Sequence, residues 1–184
     1  MLTFEQHITN MVRRACRLAG LMFHTFSSRS ALVILPVFTS LVRPILEYAS
    51  SVWNPCSNKY INLIESVQRR VTKRLYGLST LSYSDRLIAL SLPSLRIRRE
   101  YADLVQMYKI VHGLPADRCR AGLTFIRSRT RGHSFRLRKP RYKLRIRKAT
   151  FFVRTVNLWN ALPAGVVNSR SLVSFKHKLR CYML

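Results

Sequence analysis

Apolar residues return every three or four positions through Phe4, Ile8, Met11, Val12, Ala15, Leu18, Ala19 and Met22, the step of one helical face. Arg13, Arg14 and Arg17 fall on the other side of that helix. The next run, Ala31 to Val52, is apolar almost all round in its first half, which predicts a buried helix over Ala31 to Val42 with protein on most sides. Asn54-Pro55 breaks the chain, because proline lacks an amide donor and turns the residue before it away from helix. A helix restarts near Asn58 with the stripe Ile61, Ile64, Val67, Val71 and Leu75, while Gln68, Arg69, Arg70, Lys73 and Arg74 lie around the rest and Gly77 supplies a cap. Ser82 followed by Asp85 predicts a short helix through Leu90, the serine accepting a free amide in the first turn. Ile97, Tyr101, Leu104, Val105, Tyr108 and Val111 predict another from Leu95 to Val111, closed by His112-Gly113. Five helices are thus legible before residue 115.

Beyond that point the pattern changes. Arg127 to Lys148 holds eleven basic residues among twenty-two, with Gly132 and Pro140 inside it. Phe135-Arg136-Leu137-Arg138 and Lys143-Leu144-Arg145-Ile146-Arg147 alternate as a basic β-ribbon would, but no favoured turn pair fixes a register. Helical spacing returns over Thr150 to Leu162, stops at Pro163, and resumes after Ser171 with Leu172, Phe175 and Leu179 on one face. The expected fold is mainly α, in three parts: a helical region over 1–115, a basic linker or ribbon over 116–149 and a C-terminal segment of two helices over 150–184.

Charge sharpens this division. Thirty-three lysines and arginines face seven carboxylates in 184 residues, and 18 of the cations follow Asp117, the last carboxylate. The final third therefore has a net charge of +18 against +8 for the rest, the footprint of a polyanion partner. Phe151, Phe152, Val153, Val156, Leu158 and Trp159 continue into that third, so it is no solvated polycation. Cys16, Cys56, Cys119 and Cys181 are tens of residues apart, which argues against zinc or a disulfide framework and for free thiols. The first residues lack the order of a secretory signal, so the expected location is inside the cell, in nucleus or cytoplasm. The run Ala31 to Val42 is too short to span a bilayer, which takes roughly 20 residues.

The seven acids are spaced so that no two suggest a shared catalytic metal, and His7, His24, His112, His133 and His177 are too scattered for a metal site. No serine or cysteine has a histidine and an acid at suggestive spacing. No cofactor is expected.

An ordered series of strings adds a resemblance. Leu2-Thr-Phe-Glu-Gln-His-Ile8, Leu41-Val-Arg-Pro-Ile-Leu-Glu-Tyr-Ala-Ser50 with Val52-Trp53-Asn54-Pro55, Leu63-Ile-Glu-Ser-Val-Gln-Arg-Arg70 and Leu90-Ser-Leu-Pro-Ser-Leu-Arg-Ile-Arg-Arg99 follow one another. Thr130-Arg-Gly-His133, Phe151-Phe-Val-Arg154, Asn157-Leu-Trp-Asn-Ala-Leu-Pro163, Val166-Val167 and Phe175-Lys176 continue the series. It resembles the reverse transcriptases of non-LTR retrotransposons, the jockey-like and LINE group, downstream of the palm. The resemblance implies a thumb-like helical bundle followed by a basic extension, without the Tyr-x-Asp-Asp turn of the palm. The expected function is a partial RNA-directed DNA polymerase, not itself an enzyme, that binds RNA or RNA/DNA hybrid nonspecifically. A palm-containing reverse transcriptase segment is a further expected partner, and no membrane is. The alternative is a stand-alone basic structural protein of nucleic acid with retroelement ancestry.

A surface that grips nucleic-acid backbone needs exposed cations on helices with a buried face. On the helices Arg13, Arg14, Arg17, Arg69, Arg70, Lys73 and Arg74 fit, although a solvated face is the ordinary use of such residues. In the basic segment the candidates are Arg127, Arg129, Arg131, Arg136, Arg138, Lys139, Arg141, Lys143, Arg145, Arg147 and Lys148, which would repel one another unless a polyanion were near. Tyr142 is the aromatic best placed to stack on a base, while Trp53 and Trp159, inside apolar strings, are expected in the core. Loss of a palm would uncover the apolar faces around Ile34, Leu35 and Phe38 and favour self-association.

Overall fold

The computed structural model describes residues 4–113, 123–126, 133–141, 143, 147 and 149–183. The described chain is mainly helical, and among these residues the one β feature noted is an isolated antiparallel bridge between Phe125 and Leu137. Two compact units divide between Arg98 and Arg99. The reason lies in one helix, which enters both hydrophobic clusters: its first residue, Leu95, is buried in one and Leu104 to Val111 in the other.

The first unit begins with α1 (Glu5–Thr25), whose buried side is the predicted stripe, Ile8, Met11, Val12, Ala15, Ala19, Met22 and Phe23. Then come α2 (Ala31–Val37), a π-wound turn over Phe38–Val42, α3 (Arg43–Glu47) and α4 (Ser50–Trp53). Pro36 and Pro44 each remove an amide donor from the helical ladder on either side of the widened turn. Thr39 Oγ1 and Ser40 Oγ donate to the Pro36 carbonyl at 3.0 and 2.8 Å. The wider winding also keeps Ile34, Phe38, Val42 and Leu46, four residues apart, on one side, where an undisturbed α-helix would let them drift around its axis.

This corrects two expectations. Ile34, Phe38, Val42 and Leu46 are fully buried, each contributing at most about 1.5–3 kcal/mol by area, but Leu32 is 88% exposed and Leu41 54%. The run is therefore half core and half surface, not buried all round. The uncovered apolar residues are Leu32, Leu41, Tyr48 and Val52 rather than Ile34 and Phe38. Ala49, at φ 51°, ends α3 with a left-handed residue, and Trp53 Nε1 donates to the Tyr48 carbonyl across that corner. Seven α-helices and the π turn thus stand where five helices are legible in the pattern, because the Ala31 to Val52 run is cut into four short pieces.

α5 (Asn58–Lys73) starts where expected and packs on α1 through Ile64, Val67 and Val71. α6 (Tyr83–Ala89) has the predicted cap, Ser82 Oγ accepting from Asp85 N at 3.3 Å. Its end is set by Ser91, at φ 49°, and Leu92, whose amides return to the Ile88 and Leu87 carbonyls in a Schellman closure. α7 (Leu95–Val111) is capped from a distance, since Glu65 Oε1 accepts the Leu95 amide at 3.1 Å and Ser94 Oγ accepts that of Ile97 at 3.2 Å.

The second unit packs the later part of α7 with α8 (Phe151–Asn160), α9 (Ala164–Val167) and α10 (Leu172–Met183) around Trp159, Tyr108, Phe175 and Leu179. α10 has the buried face read from its spacing, and α9 is an extra turn that four residues are too few to announce. Trp53 and Trp159 are both core residues, as expected.

Candidate nucleic-acid interface

In the first unit the amphipathic pattern of α1 and α5 decides which side their arginines take. Burial of Ala15, Ala19, Val67 and Val71 between the two helices leaves Arg13, Arg14, Arg17, Arg69, Arg70, Lys73 and Arg74 exposed. Among the described residues none of the seven makes an ion pair. Arg13 Nη1 reaches Asn10 Oδ1 at 3.4 Å, Arg69 Nη2 reaches Asn62 Oδ1 at 3.5 Å, and Arg69 also lies over the Tyr83 ring at 5.0 Å. They are not one patch. Arg14 borders an open groove with His7, Met11, Pro44 and Tyr48 on one side of α1, whereas Arg70 and Arg74 border another with Cys16 and Phe23 between α1 and α5.

In the second unit, residues 133–138 form a strap fixed to the C-terminal end of α8. The Trp159 indole donates to the Phe135 carbonyl at 2.9 Å, and Asn160 brackets Leu137, accepting its amide at 3.0 Å and donating to its carbonyl at 2.8 Å. His133 Nε2 lies 3.2 Å from the Trp159 carbonyl, with its ring edge-on to the indole. On the outer side, Ile126 donates to the Arg136 carbonyl and Arg138 to that of Thr124, at 2.9 and 2.7 Å. These bonds flank Phe125 and Leu137 as the non-hydrogen-bonded pair of a single antiparallel step. The alternation read at 135–138 is thus real as facing, with Leu137 buried and Arg138 exposed, although no ribbon extends from it among the described residues.

The strap presents charge outward. Arg138, Lys139 and Arg141 are exposed and line, with Thr124 and Pro140, an open groove of about 440 Å³. Lys143 and Arg147 are exposed and Arg136 is half-buried. Arg127, Arg129, Arg131, Arg145, Lys148 and Tyr142 lie outside the described residues. Burial is the main cause that pushes the His133 imidazole below its ordinary pKa; its bond to Trp159 pulls the other way and the nearby Arg136 adds to the lowering.

Four carboxylates of the described residues have structural work. Glu47 is held by Arg98 and Arg43, Asp103 by Arg154, Glu65 by the Tyr83 hydroxyl and the Leu95 amide, and Asp85 by Ser82. Among the described residues no group of three His, Cys, Asp or Glu side chains could hold a metal ion, and Cys16, Cys56 and Cys181 are in no disulfide. No helix among them is long and apolar enough to cross a membrane. Sequence reasoning missed Trp159 and Asn160 as anchors of the strap. The quoted string Asn157 to Pro163 contains both anchors, but nothing in its spacing says what they bind.

No protein family model matches the chain, and no solved structure does. The chain is similar to an uncharacterised protein of Caenorhabditis elegans, 25% identical over 116 residues, which cover 61% of this chain. The match spans 57% of that relative's length.

Proposed function

We propose that this chain grips the phosphate backbone of RNA or of an RNA/DNA hybrid, in the manner of the post-palm portion of a non-LTR retrotransposon reverse transcriptase. The observation that carries the reading is the groove lined by Arg138, Lys139 and Arg141, at and just beyond the end of the strap that Trp159 and Asn160 hold to α8. Three cations at and just beyond anchored backbone, with four of the described carboxylates engaged elsewhere, suit a polyanion laid along the surface and offer little for reading base edges. The ordered strings from Leu2 to Lys176 support the retroelement part of the reading, and with it a palm-bearing segment as partner and a nuclear or cytoplasmic setting.

Fluorescence anisotropy with labelled single-stranded RNA and RNA/DNA hybrid, over about 50–200 mM KCl, tests it. Affinity should fall with salt at a log–log slope of roughly −0.7 per phosphate contact on single strands, with little dependence on sequence. Replacing Arg138, Lys139 and Arg141 together by glutamine should flatten the slope by about two units. A salt-independent affinity, or a sequence preference that survives the triple replacement, would overturn the proposal.

A further inference from the structure

One side chain, Trp53, supports both walls of a groove in the first unit. Its buried indole donates to the Tyr48 carbonyl at 2.8 Å and lies tilted against the His7 ring, with centroids 5.8 Å apart. His7 belongs to α1 and Tyr48 closes α3. Between these elements lies an open groove of about 500 Å³, within the roughly 300–1,000 Å³ of small-ligand sites. α1 lines it with His7, Asn10, Met11 and Arg14, which steps of three and four residues bring to one side of the helix. Pro44, Ile45 and Tyr48 line the other wall.

The groove pairs apolar side chains with a polar, cationic rim. Met11 is buried and Ile45 half-buried, while His7, Asn10 and Arg14 are exposed. No carboxylate is among its lining residues, and among the described residues Arg14 makes no ion pair. Tyr48 is 81% exposed, yet its backbone is fixed on both sides. Its amide donates to the Pro44 carbonyl at 2.9 Å, its carbonyl accepts from Trp53, and Ala49 follows at φ 51°. Left-handed backbone is disfavoured for alanine and persists where surrounding bonds hold it. The corner thus keeps an exposed aromatic ring in a set place at the edge of the groove.

Charge argues against a second copy as the occupant, since each chain carries a net +26 and like charges repel. It also favours an anion beside Arg14. A nucleotide has a flat π-face, hydrogen-bonding edges and a phosphate, and the groove offers a ring, an amide and a guanidinium for these three parts. Asn10 Oδ1 is taken by Arg13 at 3.4 Å, which leaves the amide donors of Asn10 for an acceptor on a base edge. We propose that the groove between α1 and α3 holds an unpaired base of single-stranded nucleic acid, stacked on Tyr48 with its phosphate on Arg14. The site rests on the backbone-gripping reading and adds a contact that only single strands make, because paired bases are hidden in the duplex stack. Arg17, exposed and one turn further along α1, continues the path for a neighbouring phosphate.

The test uses the full chain and changes an exposed ring, so Tyr48→Ala and Tyr48→Phe should melt at the parent's temperature. At about 150 mM KCl, Tyr48→Ala should bind a labelled single-stranded oligouridine about tenfold more weakly, the loss of one base–aromatic stack. Tyr48→Phe keeps the ring and should bind as the parent does. RNA/DNA hybrid should bind the parent and both variants alike. A strand carrying a fluorescent base analogue that dims on stacking should be quenched by the parent and by Tyr48→Phe, and less by Tyr48→Ala. Arg14→Gln should flatten the single-strand salt slope by about 0.7, whereas Tyr48→Ala should leave the slope as it is. If Tyr48→Ala binds single strand and hybrid as tightly as the parent, the base site does not exist and backbone gripping stands. The site is equally overturned if that variant keeps its strand affinity but turns a parent dimer into a monomer, which makes the face a contact between copies. An acidic amphipathic peptide that binds the parent, fails on Tyr48→Ala and is not displaced by the strand would also overturn it. If the parent binds neither strand nor hybrid, the backbone reading fails and the base site with it.

Discussion

Arg154 of α8 closes both arms of its guanidinium on Asp103 of α7, with Nε 2.9 Å from Oδ2 and Nη2 3.0 Å from Oδ1. The side chains are 10% and 2% exposed, so the pair is largely out of water, and Arg154 Nη1 is satisfied by the Ala149 carbonyl at 2.7 Å. Geometry of this kind makes loss of one partner costly, because the other is left charged and buried. Asp103→Ala should destabilise the second unit by about 3–5 kcal/mol. Glu47→Ala in the first unit, where the side chains of the pair with Arg98 are about a quarter exposed, should cost about 1 kcal/mol or less. The two tryptophans fall one in each unit, so denaturation followed by Trp159 fluorescence in a Trp53→Phe background separates the two effects.

The strap should be loosened by acid. His133 is buried and its folded pKa lies below the ordinary value, so the unfolded chain binds the proton first. Its contribution is complete above the unfolded pKa near 6.5 and is lost as pH falls through that value toward the depressed folded one. Stability of the second unit measured between about pH 7.5 and 5 should therefore decline, and His133→Gln should flatten that part of the curve. An unchanged curve in the variant would mean that another group sets the slope.

Tyr83 and Glu65 make a coupled, mostly buried pair. Burial first, and then the hydrogen bond to the Glu65 carboxylate, push the Tyr83 phenol far above its ordinary pKa. Tyr83→Phe would leave Glu65 with the Leu95 amide alone and should destabilise the first unit by about 1–3 kcal/mol. In the parent chain, ultraviolet titration should leave the Tyr83 phenol protonated well above the ordinary tyrosine value of about 10.

Asn160 offers a test of positioning without any change of charge. Its side chain holds both backbone groups of Leu137, next to Arg138, Lys139 and Arg141. Asn160→Ala should weaken RNA binding several-fold while leaving net charge unchanged, if the strap is where backbone is gripped. Binding equal to the parent's would mean that the cations act as a loose cloud rather than as a placed set.

Helix type and most helix limits were legible in the sequence, because they follow from local spacing: α5 begins at Asn58 and α7 runs from Leu95 to Val111, as the stripes require. The Ser82 cap was legible for the same reason, a short-range bond between neighbours. The excess of exposed cations on α1 and α5 also follows from periodicity, since burying one face leaves the other to solvent. Tertiary structure alone decided what depends on residues far apart. It divided the apolar run from Ala31 to Val52 into core and surface, because π winding between two prolines selects every fourth residue for burial. It also placed the unit boundary inside α7 and set Glu65 as the cap of that helix thirty residues away. And it brought Arg29 and Arg74 to Phe23, and Leu137 to Asn160, through packing and side-chain hydrogen bonds that carry no periodic trace along the chain.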